Sequence, residues 1–210
     1  MSDETIKKAL IADVVIEGTG STSGAQRVAP ETAGRGGETS GLSQYVPGSA
    51  IHDPLLQRQV EAFLFMQAAR LDAKDWQGFI DCFDASGIYW MPVHLGQQDW
   101  AAEPSIFAED TLLMEIRMGR LLHPNAWSQA PMWGTSHLVG NIVIESATAT
   151  EIQVASRFQM MELRRDDVRH FAGSYRHTLK RDGDDFKITL QRVDMMNGQA
   201  AYDYVLQAWV

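Results

Sequence analysis

The strongest constraint on the fold is a change of period. Beyond His137, apolar residues recur at every second position. Ile152, Val154, Phe158 and Met160 alternate with Gln153, Arg157 and Gln159. Phe171, Tyr175 and Leu179 alternate with polar neighbours, and Phe186, Ile188 and Leu190 repeat the pattern. Successive side chains of a strand point to opposite faces, so this alternation predicts strands buried on one face only. The stretch RDGDD at Arg181–Asp185 contains Asp-Gly, a strong hairpin signal. With the strand-like run His137–Glu145, an antiparallel meander is expected.

The preceding segment reads as helical. Asp53-Pro54 supplies a capping carboxylate and then a proline at the first helical position. Leu56, Val60, Phe63, Leu64 and Leu71 form an apolar stripe. A second short helix is expected from about Asp75 to Phe83, with Trp76, Phe79, Ile80 and Phe83 at helical spacing and Gly87 as its end. IYWMPV is expected to be a strand that exits at Pro92. A loop through Trp100 and Pro104 then leads to a third helix over roughly Ala108–Leu122, and HPNAWSQAP reads as a loop. Helices followed by an antiparallel sheet give an α+β plan: three helices packed on a curved, mainly antiparallel sheet. One-sided burial on long strands suggests a cone-shaped half-barrel whose concave side holds either a cavity or a packed core.

Composition shifts sharply near Asp53. Residues 1–52 contain no Trp, no Phe and a single Tyr, Tyr45, whereas all six Trp and all eight Phe follow. So few large apolar groups cannot offset the entropy of folding. Residues 1–52 are therefore read as a flexible Gly/Ser/Thr-rich arm, and residues 53–210 as the α+β domain. The run IADVVIEGTGSTSGAQ does not make a nucleotide site. Its glycines, Gly18, Gly20 and Gly24, miss the dinucleotide spacing by one residue. Gly24 is followed by Ala25-Gln26 where a phosphate loop needs Lys-Ser/Thr.

A net charge of −9 argues against nucleic acid or an anionic membrane as partner. The single cysteine, Cys82, excludes an internal disulfide, a cysteine-held zinc site and an iron–sulfur cluster made by this chain alone. No apolar run is long enough for a membrane helix, and a cytoplasmic location is expected.

Few residues offer chemistry. His170 and His177 lie seven apart on one expected strand, so they face opposite sides and cannot share a metal ion with Asp167. His177 is expected in the core or cavity and His170 at the surface. Tyr89, His137 and His177 are candidates for proton transfer, with Asp81 or Asp84 as orienting carboxylates, but no spacing enforces their convergence. Cys82, in FIDCFD, reads as a packed helical thiol whose pKa is raised by Asp81 and Asp84. Trp127, Met132 and Trp133 cluster in AWSQAPMWG, as interface anchors or loop plugs for the core. The apolar tail AAYDYVLQAWV is expected to be tied down in the sheet or in a subunit contact.

The order of these features carries a resemblance. EAFLFMQAARLDAKDWQGFIDCFDASGIYWMPV holds Leu71-Asp72, Trp76 and the Tyr89-Trp90-Met91-Pro92 strand. EDTLLMEIRMGRLLHPNAWSQAP holds Asp110, Leu113, Arg117, Arg120 and Leu121, then Trp127 and Pro131. HLVGNIVIE and FAGSYRHTLKRDGDDFKITLQRVDMM follow. In this order the chain from about Asp53 to Val210 resembles the small (beta) subunit of aromatic-ring-hydroxylating, Rieske-type dioxygenases.

The resemblance implies a nuclear-transport-factor-2-like or scytalone-dehydratase-like fold. It also implies assembly with a large alpha subunit, commonly as three large and three small chains. That large subunit would hold the Rieske [2Fe–2S] cluster and a mononuclear Fe(II), with NAD(P)H supplying electrons through a reductase. This chain would then have no catalytic, cofactor-binding or metal-binding residues of its own. Arg117, Arg120, Trp127 and Trp133 are its candidate interface residues. Relatives often carry a basic sequence just after the position of Pro131, where this chain reads Met132-Trp133-Gly134-Thr135-Ser136. The alternatives are a free-standing cavity enzyme of the same fold, an isomerase or dehydratase using His, Tyr and Asp, or a small-ligand binding module. The aromatic substrate is not legible, because specificity would lie in the large subunit.

Overall fold

The computed structural model describes residues 51–127, 133–196, 198, 206, 209 and 210. The expected arm lies outside them except for Ile51 and His52, as does Met132. Helix α1 spans Pro54–Ala73. The Asp53 carboxylate accepts from the backbone N–H groups of Leu55 and Leu56, at 3.0 and 3.1 Å. Its buried stripe is Leu56, Val60, Phe63, Leu64, Gln67 and Leu71. The helix stops where Lys74 turns left-handed, at φ 58°, and the N–H of Asp75 bonds back to the Arg70 carbonyl at 2.9 Å.

The second helix is shorter than expected. α2 covers Trp76–Ile80, and strand β1 already begins at Phe83, running to Pro92. Cys82 therefore sits in the turn between them rather than on a helix. Gly87 lies inside β1 and ends nothing. A Cβ there would come within 2.5 Å of the Ile188 carbonyl oxygen and 2.9 Å of that of Asp84. The glycine allows the close backbone approach where β1 shifts register against its neighbour.

The third helix also departs from expectation. Ser105–Asp110 forms a strand, β2, and helix α3 starts only at Thr111 and ends at Leu121. Asp110 caps it, accepting from the Leu113 N–H at 2.8 Å. Pairing with β1 overrides the helical pattern before the cap, with Tyr89 opposite Glu109 and Trp90 opposite Ala108.

Four long strands follow: β3 Gly134–Ala147, β4 Glu151–Arg164, β5 Asp167–Asp182 and β6 Asp185–Met195. The sheet order is β2-β1-β6-β5-β4-β3, antiparallel except where β1 lies parallel to β6. Gly183, at φ 63°, makes the expected turn between β5 and β6. In β6 the simple alternation breaks. Leu179 pairs with Ile188 but Thr178 with Leu190, so Thr189 is an extra residue. Leu190 consequently leaves the core face that its spacing implied, and Gln191 enters it, only 1% exposed.

One hydrophobic cluster fills the space between the helices and the inner face of the sheet. Phe158 stacks on Tyr175 with ring centroids 4.4 Å apart, and Phe79 packs against Trp209 at 5.2 Å. Of the apolar tail, Leu206, Trp209 and Val210 belong to this cluster. Trp209 donates from Nε1 to the Glu109 carboxylate at 3.0 Å, and the Val210 N–H donates to the Tyr89 hydroxyl at 3.1 Å.

Candidate functional site

The polar residues of the concave side converge on one point between α1, β3, β5 and β6. Asp72, at the end of α1, faces β3. Its carboxylate accepts from the Thr135 hydroxyl at 3.0 Å and the His137 backbone N–H at 2.9 Å, and lies 2.6 Å from His137 Nδ1. A carboxylate only accepts, so this contact places the imidazole proton on Nδ1. Burial alone would raise the Asp72 carboxyl, but the hydrogen bonds from His137 and Thr135 outweigh it and hold the group below its ordinary value.

The His137 side chain is 1% exposed. Its other nitrogen, Nε2, is buried and has no hydrogen-bond partner among the described residues. His137 lines a space of only about 10 Å³, which Tyr175, His177, Gln67 and Gln191 also border. Such a space suits about one water molecule. Gln67 donates to Gln191 across it at 2.6 Å. His177 stands directly opposite Gln191 in the ladder. Burial pushes its pKa down to about 3, against a smaller opposing effect of Gln191, so the ring is neutral at physiological pH. Burial likewise pushes the Tyr175 phenol well above its ordinary range. An Asp–His pair of this kind can move a proton, but the space described beside it is far smaller than a substrate.

The structure thus unites two of the three candidates for proton transfer, His137 and His177. Tyr89 is elsewhere, bonded to Val210, and burial raises its phenol. The expected orienting carboxylates do not orient either histidine. Asp84 pairs with Lys180 at 2.8 Å and with Ser86, and Asp81 accepts from Gln77 at 2.9 Å. Asp72 takes that role instead. The Cys82 thiol is raised chiefly by its own burial, with Arg70 acting against it, rather than by Asp81 and Asp84. His170 is exposed while His177 is buried. Among the described residues no group of three or more His, Cys, Asp or Glu is placed to hold a metal ion. No helix among them is long and apolar enough to cross a membrane.

Gln67 was legible as a polar residue inside the apolar stripe of α1, and Asp72 as a carboxylate one position beyond it. Gln191 was not legible, because the extra residue at Thr189 hides its face.

The candidate interface residues divide. Trp133 is 3% exposed and packs on Trp76 with centroids 5.7 Å apart. Arg117 turns inward, its Nε donating to Glu109 at 2.8 Å and its guanidinium lying 4.1 Å from the centre of the Phe107 ring. Arg120 is exposed, and Trp127 is 83% exposed. Beside them on α3, Leu112, Leu113 and Ile116 are also exposed.

Comparison with known proteins agrees with this architecture. The small subunit of 2-halobenzoate 1,2-dioxygenase from Burkholderia cepacia is 26% identical over 143 residues, spanning 66% of this chain and 87% of that one. The solved beta subunit of benzoate 1,2-dioxygenase from Burkholderia mallei is 26% identical, with a TM-score of 0.58 over 70% of this chain and 95% of that one. A scytalone dehydratase-like protein from Novosphingobium aromaticivorans shares the fold alone, at 17% identity and a TM-score of 0.52 over 73% of this chain and 91% of that one. The family model described as the ring hydroxylating beta subunit matches residues 66–199, and the chain belongs to that family of small dioxygenase subunits.

Proposed function

We propose that this chain is a non-catalytic structural subunit of a multicomponent Rieske non-haem iron dioxygenase acting in aromatic catabolism in the cytoplasm. It would support a large alpha subunit that carries the Rieske [2Fe–2S] cluster and the mononuclear iron, in a complex of three large and three small chains, with NAD(P)H feeding electrons through a reductase. The observation that carries this reading is the small size of the space beside the candidate dyad. The Asp72–His137 pair has the chemistry of a catalytic dyad, yet the space beside it is about 10 Å³. The donor set agrees, since a Rieske centre takes two cysteines and two histidines and this chain has one cysteine.

The exposed face of α3, with Leu112, Leu113, Ile116 and Arg120, and the neighbouring Trp127 form the surface assigned to the large subunit. Apolar groups flanked by an arginine are the usual composition of an interface centre. The Gly/Ser/Thr-rich segment before Asp53 is assigned to wrapping a neighbouring subunit. The test is a tagged purification from the native host, recording colour, iron content and co-purifying chains. A brown complex with a large iron–sulfur protein is expected. A colourless, iron-free protein emerging alone would overturn the reading in favour of a free-standing cavity enzyme. Removing residues 1–50 should weaken the complex, and unchanged assembly would refute the role given to that segment.

A further inference from the structure

A second and much larger cavity, of about 480 Å³, lies where the sheet opens beside β3. Gly140 pairs with Arg157 and Val143 with Ala155, so Asn141 and Ile142 together stand opposite Ser156. Such a bulge bends its strand and interrupts the ladder. Asn141 takes the left-handed conformation there, at φ 51°. The strands beside the bulge supply two cross-strand rows. Arg157, Ser174 and Asp194 form one, and Ala155, Arg176 and Arg192 form the next. Residues directly opposite one another share a face of the sheet, so two arginines from adjacent strands, Arg157 and Arg176, lie diagonally across this floor and line the cavity.

The charges do not cancel locally. Asp194 also lines the cavity, but it is matched by Arg192, whose Nε lies 2.9 Å from both of its oxygens. The side chains of Arg157 and Arg176 have no hydrogen bond or ion pair among the described residues. Glu145, on the wall, is the remaining acid. Two guanidinium groups therefore outnumber one carboxylate, in a chain whose net charge is −9. Ser156 also borders the space, but its buried hydroxyl turns to the opposite face of β4 from Arg157 and Ala155. Ile142, Val143 and Ala155 make the apolar part of the lining.

We propose that this cavity binds a carboxylate carried on a small apolar or aromatic body. The volume lies in the range of small-ligand sites. The guanidinium fork matches a carboxylate in two parallel hydrogen bonds, and the Ser174 hydroxyl, on the same face, can complete them. A surplus of one positive charge suits a monoanion better than a phosphate dianion. The carboxylate comes either from a free small molecule or from an acidic side chain of a neighbouring subunit. The assignment does not depend on the absence of catalysis in this chain.

The test titrates benzoate, toluene and inorganic phosphate into the full-length chain by calorimetry, and follows its mass by sedimentation with and without benzoate. The variants are Arg157→Gln/Arg176→Gln and the cavity-filling Ala155→Phe. Melting curves check that each is folded. Benzoate is expected to bind, toluene and phosphate at least tenfold more weakly, and both variants should raise the benzoate Kd at least tenfold. An unchanged mass assigns the site to a free carboxylate. If instead benzoate lowers the mass of the native assembly and the double arginine variant does the same, the carboxylate is a neighbour's side chain. If benzoate binds the variants as well as the native chain, or if neither binding nor mass depends on the arginines, the proposal is overturned.

Discussion

His137 and Asp72 are 65 residues apart in sequence, yet their side chains meet at 2.6 Å inside the fold and tie the last turn of α1 to the start of β3. Asp72 accepts three donors at once. Asp72→Ala would leave all three unpaired and should cost about 2–4 kcal/mol, given the penalty for orphaned buried donors. Urea unfolding at neutral pH measures this. The folded-state carboxyl lies below its unfolded value, so its contribution is present above about pH 4 and is lost as the pH falls further. The variant should therefore lose less stability than the native chain on acidification through that range.

His177 sets a second pH window. Its folded pKa of about 3 lies below the unfolded value of 6.5. Between these values the unfolded chain binds a proton that the folded chain refuses. Stability is complete above pH 6.5 and falls with acidification by roughly 1.4 kcal/mol per pH unit well inside the window. His177→Leu should flatten the native chain's slope by about that amount between pH 4.5 and 6, where Asp72 is still ionised. Parallel slopes for the two proteins in denaturant titrations would count against a neutral buried imidazole.

Gly173 permits a close packing contact. A Cβ there would lie 2.2 Å from the Asp194 carbonyl oxygen and 2.8 Å from the Phe158 ring. The carbonyl belongs to the neighbouring strand, and the ring is held in its stack on Tyr175, so neither can yield cheaply. Gly173→Val should destabilise the chain by about 2 kcal/mol or more, as overpacking in a core does, and melt it at a visibly lower temperature.

The two loop tryptophans should separate folding from assembly. Trp133 is buried and Trp127 is 83% exposed. Trp133→Ala should cost about 3–5 kcal/mol of stability, as for other buried aromatics. Trp127→Ala should leave stability within about 0.5 kcal/mol while weakening capture of the large subunit at least tenfold. Chemical denaturation and pull-down on the same two variants give both readouts. If Trp127→Ala leaves capture unchanged, this surface is not the contact.

Local patterns carried much of the fold because they are local in cause. Asp53-Pro54, the Leu56–Leu71 stripe and the Asp-Gly turn each depend on neighbours within a few residues, and each formed as its spacing implied. The opposite facing of His170 and His177 followed from strand alternation alone. What failed depended on partners distant in the chain. β2 exists because β1 offers it an edge, and Gly87 sits in a strand because the Ile188 backbone approaches it. Leu190 exchanges faces with Gln191 because Thr189 bulges against a strand whose register is set elsewhere. The candidate site shows the same division. The residue types His137 and His177 could be picked from the sequence, but Asp72 as the carboxylate that orients His137 could not, nor could the small size of the space beside them. Whether a cone is open or filled depends on how side chains from four elements pack together, and no periodicity within one element records that.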